Sequence, residues 1–207
     1  MKKLESSITN MVVVLVGVAL ITGSILAYVN NVTEGPIKIQ SDKALADGIK
    51  NVMGEGELTV AKTDTVKQTI KGKEFVFVVH KTVDANKKDL GAAIESTTGG
   101  FGGDLKVLVG FDTKGNILGY TILKHSETPG LGAKADKWFQ KDGKGNIIGK
   151  NPATDNLTVK KDGGSVDAIT ASTITSRAFL LAITQAYNAY KELPVDGNTA
   201  ATGKNKD

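Results

Sequence analysis

The sequence predicts an α+β domain, a small and mostly antiparallel sheet with flanking helices, placed behind one N-terminal transmembrane helix. Three observations lead there. Met11–Val29 is an unbroken apolar run, the middle of the chain carries short apolar runs separated by turn residues, and a stretch near the C-terminus carries an apolar stripe at helical spacing. At ~150 residues per domain, the 207 residues hold one domain plus appendages.

The apolar run MVVVLVGVALITGSILAYV lies inside an uncharged stretch from Ser6 to Thr33. At ~1.5 Å per residue, Met11–Val29 covers roughly 28 Å, enough for the hydrocarbon core of a bilayer. A cleaved signal peptide usually has an apolar stretch of only ~7–15 residues and a small-x-small cleavage pattern. Here Ile25 stands two places before Ala27, and Tyr28 and Val29 follow it, so the run reads as an uncleaved anchor. Lys2 and Lys3 precede it, which by the positive-inside tendency puts residues 1–10 in the cytoplasm and the domain on the other side.

After the anchor, Ile37 to Val52 reads as a helix, with Ile37, Ala44, Leu45, Ile49 and Val52 on one face and Gly54 and Gly56 ending it. Strand-like runs follow at Leu58–Ala61, Glu74–Lys81, Leu105–Phe111 and Asn116–Lys124. Leu105, Val107, Val109 and Phe111 alternate toward one face, and Asp112–Gly115 reads as the hairpin loop joining the last two strands. Ser176–Leu193 reads as an amphipathic helix with Phe179, Ile183, Ala186, Tyr187 and Tyr190 in one stripe. The folded domain is expected over 36–193, and the polar tail 194–207 is expected to be disordered.

Composition closes several routes. With no Cys, disulfides, thiolate nucleophiles and cysteine-held iron–sulfur clusters are excluded. Only His80 and His125 are present, too few for a multi-histidine metal site. The formal charge of +4 comes almost wholly from Lys, since Arg177 is the one arginine. Specific nucleic-acid readers use arginine forks, so a nucleic-acid partner is not expected.

Three stretches suggest chemistry. Gly99-Gly100-Phe101-Gly102-Gly103 precedes a strand, and its glycines allow backbone to approach a ligand; on composition alone a flexible surface loop is the favoured reading. His125-Ser-Glu-Thr-Pro-Gly-Leu-Gly132 follows a strand, where Pro129-Gly130 forces a turn that crowds His125, Glu127 and Thr128 together. A plain polar turn capped by Thr128 explains it equally well. The third runs from Val166 to Arg177 and holds hydroxyls at Thr170, Ser172, Thr173, Thr175 and Ser176 just ahead of a helix. A helix N-terminus offers free N–H groups to a phosphate, whereas ordinary capping needs only one hydroxyl.

These stretches carry a resemblance. DAITASTITSRA resembles the flavinylation signature Asp-x-x-(Ser/Thr)-Gly-Ala-(Thr/Ser), and HSETPGLGA and GGFGGDLKVLVGFD resemble the turn and the glycine-rich strand entry of the same family. That family comprises the FMN-binding domains of the G subunit of the Rnf electron-transport complex and the C subunit of the sodium-pumping NADH:quinone reductase. The resemblance implies covalent FMN, one per chain, esterified through its phosphate to Thr173 by a separate flavin transferase that uses FAD and a divalent metal. It aligns Asp167 and Thr170 with the signature, and puts Ala171 and Ser172 where Gly and Ala are usual. It places Thr175 and Ser176 near the phosphate and Glu127, Thr128, Gly130, Leu131 and Gly132 near the flavin. The implied function is electron transfer within an ion-translocating ferredoxin:NAD⁺ oxidoreductase. The chain would be a carrier with no catalytic residues of its own, anchored in the lipid of a bacterial inner membrane, its domain extracytoplasmic and its partners other redox subunits. The C subunit of the quinone reductase, a cofactor-free anchored binding module and a stand-alone flavin reductase are the alternatives.

Overall fold

The computed structural model describes residues 8–54, 57–70 and 73–195, and the chain divides into two compact units, Met1–Ala44 and Leu45–Asp207. Lys2, Lys3 and Gly56, on which the orientation and one helix stop were argued, lie outside the described residues. The described part of the N-terminal unit, residues 8–44, is helical. Helix α1 runs from Ile8 to Met53 and is long and apolar enough to cross a membrane. The sequence pattern separates an anchor from a second helix near Pro36, but Pro36 lies inside α1. Proline removes its own N–H from the ladder, and here the remaining helix bonds continue past it. The large apolar side chains of Met11–Val29 are exposed, and the hydroxyls of Thr22, Ser24 and Thr33 donate to carbonyls one turn back. Polar groups satisfied within their own helix suit a lipid surround, where water cannot complete them.

The second unit contains the last turns of α1 and a five-stranded antiparallel sheet with strand order following the chain. Its strands are β1 (Leu58–Ile70), β2 (Lys73–Asp84), β3 (Asp89–Gly99), β4 (Asp104–Phe111) and β5 (Ile117–Lys124). The short helix α2 (Ala135–Trp138) and the long helix α3 (Thr173–Tyr190) follow. β3 has no counterpart among the strands expected from the sequence, and β1 is longer than expected. β3 contains Gly91, Ala92, Ala93 and Ser96, small residues of low strand propensity, yet most of it is buried. They are small because both faces of this central strand are covered.

On one face Ala92 and Ile94 join Phe77, Val79, Val107, Val109 and Phe111 against α3. The stripe predicted for α3 packs here: Phe179, Ile183, Ala186 and Tyr187 are all buried. Phe179 stacks on Phe139 at 4.3 Å and meets Tyr120 edge-on at 4.6 Å, fixing the loop after β5 onto the helix. On the other face Ala93 and Leu108 pack against Ile49 and Val52 of α1. Gly110 of β4 pairs with Gly119 of β5, and a Cβ at Gly110 would overlap the Val52 carbonyl, so this paired glycine notch seats the end of α1. The β4–β5 loop closes through the Asp112 carboxylate, which accepts from Asn116 N and Nδ2, both at 2.8 Å. Beyond α3, Pro194 and Val195 are described: Val195 is buried and its N–H donates to Gln68 Oε1 at 2.8 Å. Residues 196–207 of the expected tail lie outside the described residues.

A polar row crosses the first four strands. Thr63 Oγ1 meets His80 Nδ1 at 3.1 Å, His80 Nε2 meets Glu95 Oε1 at 2.8 Å, and Lys106 Nζ meets Glu95 Oε2 at 2.6 Å. Burial pushes the Glu95 carboxyl up, but the bonds from His80 and Lys106 outweigh it and hold the group below its ordinary value. A carboxylate depressed on folding contributes stability above its unfolded pKa, about 4.3 for Glu, and loses it as pH falls through the folded value.

Two outcomes follow. On acidification from about pH 5 to 3 the domain loses stability in denaturant titrations, and Glu95→Gln loses less over that window; equal losses would contradict the row's role. Gly110→Ala lowers the unfolding free energy by about 1–3 kcal/mol, since α1 has to lift from the notch; an unchanged midpoint would contradict the packing.

Candidate functional site

The site forms where β5 ends. The backbone N–H of Glu127 donates to His125 Nδ1 at 3.1 Å, which turns the Glu127 side chain inward. Thr128 O then accepts from Leu131 N at 3.2 Å and from Ala133 N at 3.3 Å, closing a turn in which Gly130 has φ +76°. The Glu127 side chain is the centre of the arrangement. It is 6% exposed; Oε1 accepts from Phe101 N at 2.8 Å and Gly102 N at 3.4 Å, and Oε2 accepts from Thr175 Oγ1 at 2.7 Å. One carboxylate thus ties the glycine-rich loop and the first turn of α3 to the turn after β5. A Cβ at Gly100 or Gly132 would overlap Glu127 carboxylate oxygens, so glycine at these positions is what lets the three segments close on it.

The approach to α3 is built with equal economy of bonds. Ser176 Oγ accepts from Ile169 N and donates to Ser172 O, both at 2.9 Å, and Ser172 N donates to Ile169 O at 3.0 Å. This closes Ile169–Ser172 into a tight turn in which Ala171 takes φ +59°. A left-handed conformation costs an alanine roughly 1–2 kcal/mol. Farther out, Arg177 clamps Asp162 through Nε at 2.7 Å and Nη2 at 2.6 Å, and the guanidinium bond holds the Asp162 carboxyl below its usual range. The one arginine of the chain is therefore a structural clamp.

An open cleft of about 360 Å³ lies over this junction. Of the residues singled out in the sequence, Glu127, Thr128, Leu131, Gly132, Ala171, Ser172, Thr173 and Thr175 line it. Asp167, Thr170, Gly130 and Ser176 do not. Asp167 instead pairs with Lys160 Nζ at 2.8 Å and accepts the Trp138 indole N–H on its carbonyl at 2.8 Å. Thr170 is exposed in the turn, and Ser176 is fully buried with its hydroxyl committed as above. Phe101 and Ile174 also line the cleft, and neither is among the site residues that the sequence suggests. Phe101 had a signal: an aromatic between glycine pairs, here 69% exposed at the rim.

The chemistry on offer is specific. Ser172 is the N-cap of α3 at φ −139°, and no side chain caps the helix, so the first-turn N–H groups lack that usual acceptor. An uncapped helix N-terminus accepts an anion. The Thr173 hydroxyl belongs to that first turn, and Phe101, Leu131 and Ile174 supply apolar lining. The cleft thus offers an anion the first-turn N–H groups and a ring system the apolar side chains of Phe101, Leu131 and Ile174.

Comparison with known proteins agrees with that chemistry. Residues 100–188 match the FMN-binding domain family model, a stretch that includes every cleft residue. The chain is 35% identical over 177 residues to the G subunit of the ion-translocating oxidoreductase complex of Shewanella baltica, covering 81% of this chain and 82% of that one. It is 33% identical over 177 residues to the protein of that name from Vibrio parahaemolyticus (81% and 82% covered), and 34% identical over 178 residues to that from Yersinia pestis (81% and 83%).

Relief of the Ala171 conformation is measurable. Ala171→Gly raises the unfolding free energy by about 1 kcal/mol in denaturant titration, because the left-handed strain outweighs the added freedom of glycine in the unfolded chain. A destabilised variant would contradict the strain.

Proposed function

Because the chain belongs to the family of G subunits of ion-translocating oxidoreductase complexes, with their FMN-binding domain, we propose that it carries one FMN esterified through its phosphate to Thr173 and passes electrons between redox subunits of a membrane complex. The observation that carries this reading is the place of Thr173, on the uncapped first turn of α3 and on the wall of the same cleft as Phe101 and Leu131. When bound, FMN supplies one- and two-electron redox chemistry.

The protein's part is attachment, orientation and shielding. The first-turn N–H groups of α3 and the Ser172 hydroxyl hold the phosphate, and Phe101, Leu131 and Ile174 shield the ring from water. Attachment would be a transfer from FAD in which the Thr173 oxygen takes the FMN phosphorus, the bond to AMP breaks and the hydroxyl proton leaves with it. A flavin transferase with a divalent metal performs this step, so no general base is needed beside Thr173.

The similar proteins are G subunits, which favours this assignment over the C subunit of the sodium-pumping quinone reductase. In this reading α1 anchors the protein in the lipid of a bacterial inner membrane. Lys2 and Lys3 ahead of the apolar run support a cytoplasmic N-terminus and an extracytoplasmic domain.

Intact-mass measurement after co-expression with a flavin transferase tests the attachment. Wild type and Thr173→Ser gain one FMN less one water, and Thr173→Ala, still folded, gains nothing. Covalent flavin on Thr173→Ala would sink the assignment and move the acceptor to Ser172 or another hydroxyl.

A further inference from the structure

We infer that the buried carboxylate of Glu127 lowers the reduction potential of the flavin carried in the cleft; this rests on the reading that FMN occupies it. The Glu127 side chain is 6% exposed and shares the cleft wall with Phe101, Leu131 and Thr173. Among the described residues its hydrogen-bond partners are Phe101 N, Gly102 N and Thr175 Oγ1, and the two backbone N–H groups on Oε1 can only donate, which suits a carboxylate. Those donors are neutral. They stabilise the charge where it is and, as dipoles without net charge, offset only part of its field. Near neutral pH the oxidised ring takes two electrons and one proton, gaining one net negative charge. The electrons come from a reduced partner centre in the complex, or from dithionite in a titration. A fixed negative charge close to the ring and screened from bulk water disfavours that gain. The carboxylate therefore does more than hold the loops together: it makes the bound flavin a stronger reductant.

The geometry supplies a clean substitution. In Glu127→Gln the amide oxygen accepts from Phe101 N and Gly102 N, and the amide nitrogen donates to Thr175 Oγ1, whose hydroxyl proton turns away. Every contact is kept and one charge is lost. Thr175→Val does the reverse, keeping the charge and removing one of its donors at nearly constant shape. A structural disturbance has no reason to move the potential in opposite directions in these two variants.

The test is a mediated dithionite titration of the full-length, flavinylated protein in detergent, followed by flavin absorbance, with the attached FMN verified by mass. At a fixed applied potential the reduced-to-oxidised ratio rises about tenfold in Glu127→Gln, equivalent to about 30 mV for a two-electron couple, and falls in Thr175→Val. Flavin attached to both proteins with Glu127→Gln equal to or below wild type would overturn the inference and leave the FMN reading standing. Wild type without flavin, under an active transferase, would overturn both. Should Glu127→Gln not fold, Thr175→Val decides alone: a fall supports the inference and an unchanged or raised potential rejects it.

Discussion

A carboxylate shut away from water has to be met by donors, because leaving it unmet costs several kcal/mol. Glu127 is met by the amides of Phe101 and Gly102 and by the hydroxyl of Thr175. Those donors come from segments 26 and 48 residues away in sequence. Satisfying one side chain thus brings the end of β3, the turn after β5 and the N-terminus of α3 to one point. The cleft is the space left above that point. Its walls are set by the requirement that nothing larger than glycine stand at Gly100 or Gly132.

The rest of the domain holds this junction still. α3 is pinned along its length by Phe179, Ile183 and Tyr187 on the sheet, so its first turn has a fixed position. The Arg177–Asp162 clamp and the Ser176 hydroxyl fix the chain that leads into it. On the opposite face the Gly110–Gly119 notch receives the end of α1, and the Glu95 row braces the neighbouring strands. A site on rigid elements suits an electron carrier, whose cofactor has to keep its orientation and surroundings while its charge changes.

Much of this was legible in the sequence, and the parts that were not share a cause. The α3 stripe, the β4–β5 hairpin and the long apolar N-terminal helix are periodic or compositional signals within one segment, and each is found in the structure. β3 was missed because Ala92, Ala93 and Ser96 are chosen for cover on both faces, a tertiary demand that local propensity does not carry. α3 starts at Thr173, ahead of the expected Ser176, because β-branched Thr173, Ile174 and Thr175 read locally as poor helix formers. Family resemblance pointed at Glu127, Leu131 and Thr173, which do share the cleft, but motif order alone gave no hint that the Glu127 carboxylate is buried and bonded to Thr175. Nor did it show that the Ser176 hydroxyl is spent on the turn.

The flavin proposed to be tethered at the N-terminus of α3 would lie in the cleft assembled around Glu127. A crystal structure of the flavinylated protein tests this placement most directly. The expected result is continuous density from Thr173 Oγ1 to the FMN phosphorus, the ring against Phe101 and Leu131, and the Glu127 carboxylate still bonded to Phe101 N and Thr175 Oγ1. A ring lying outside the cleft, or a Glu127 side chain released from its donors when flavin is attached, would contradict it.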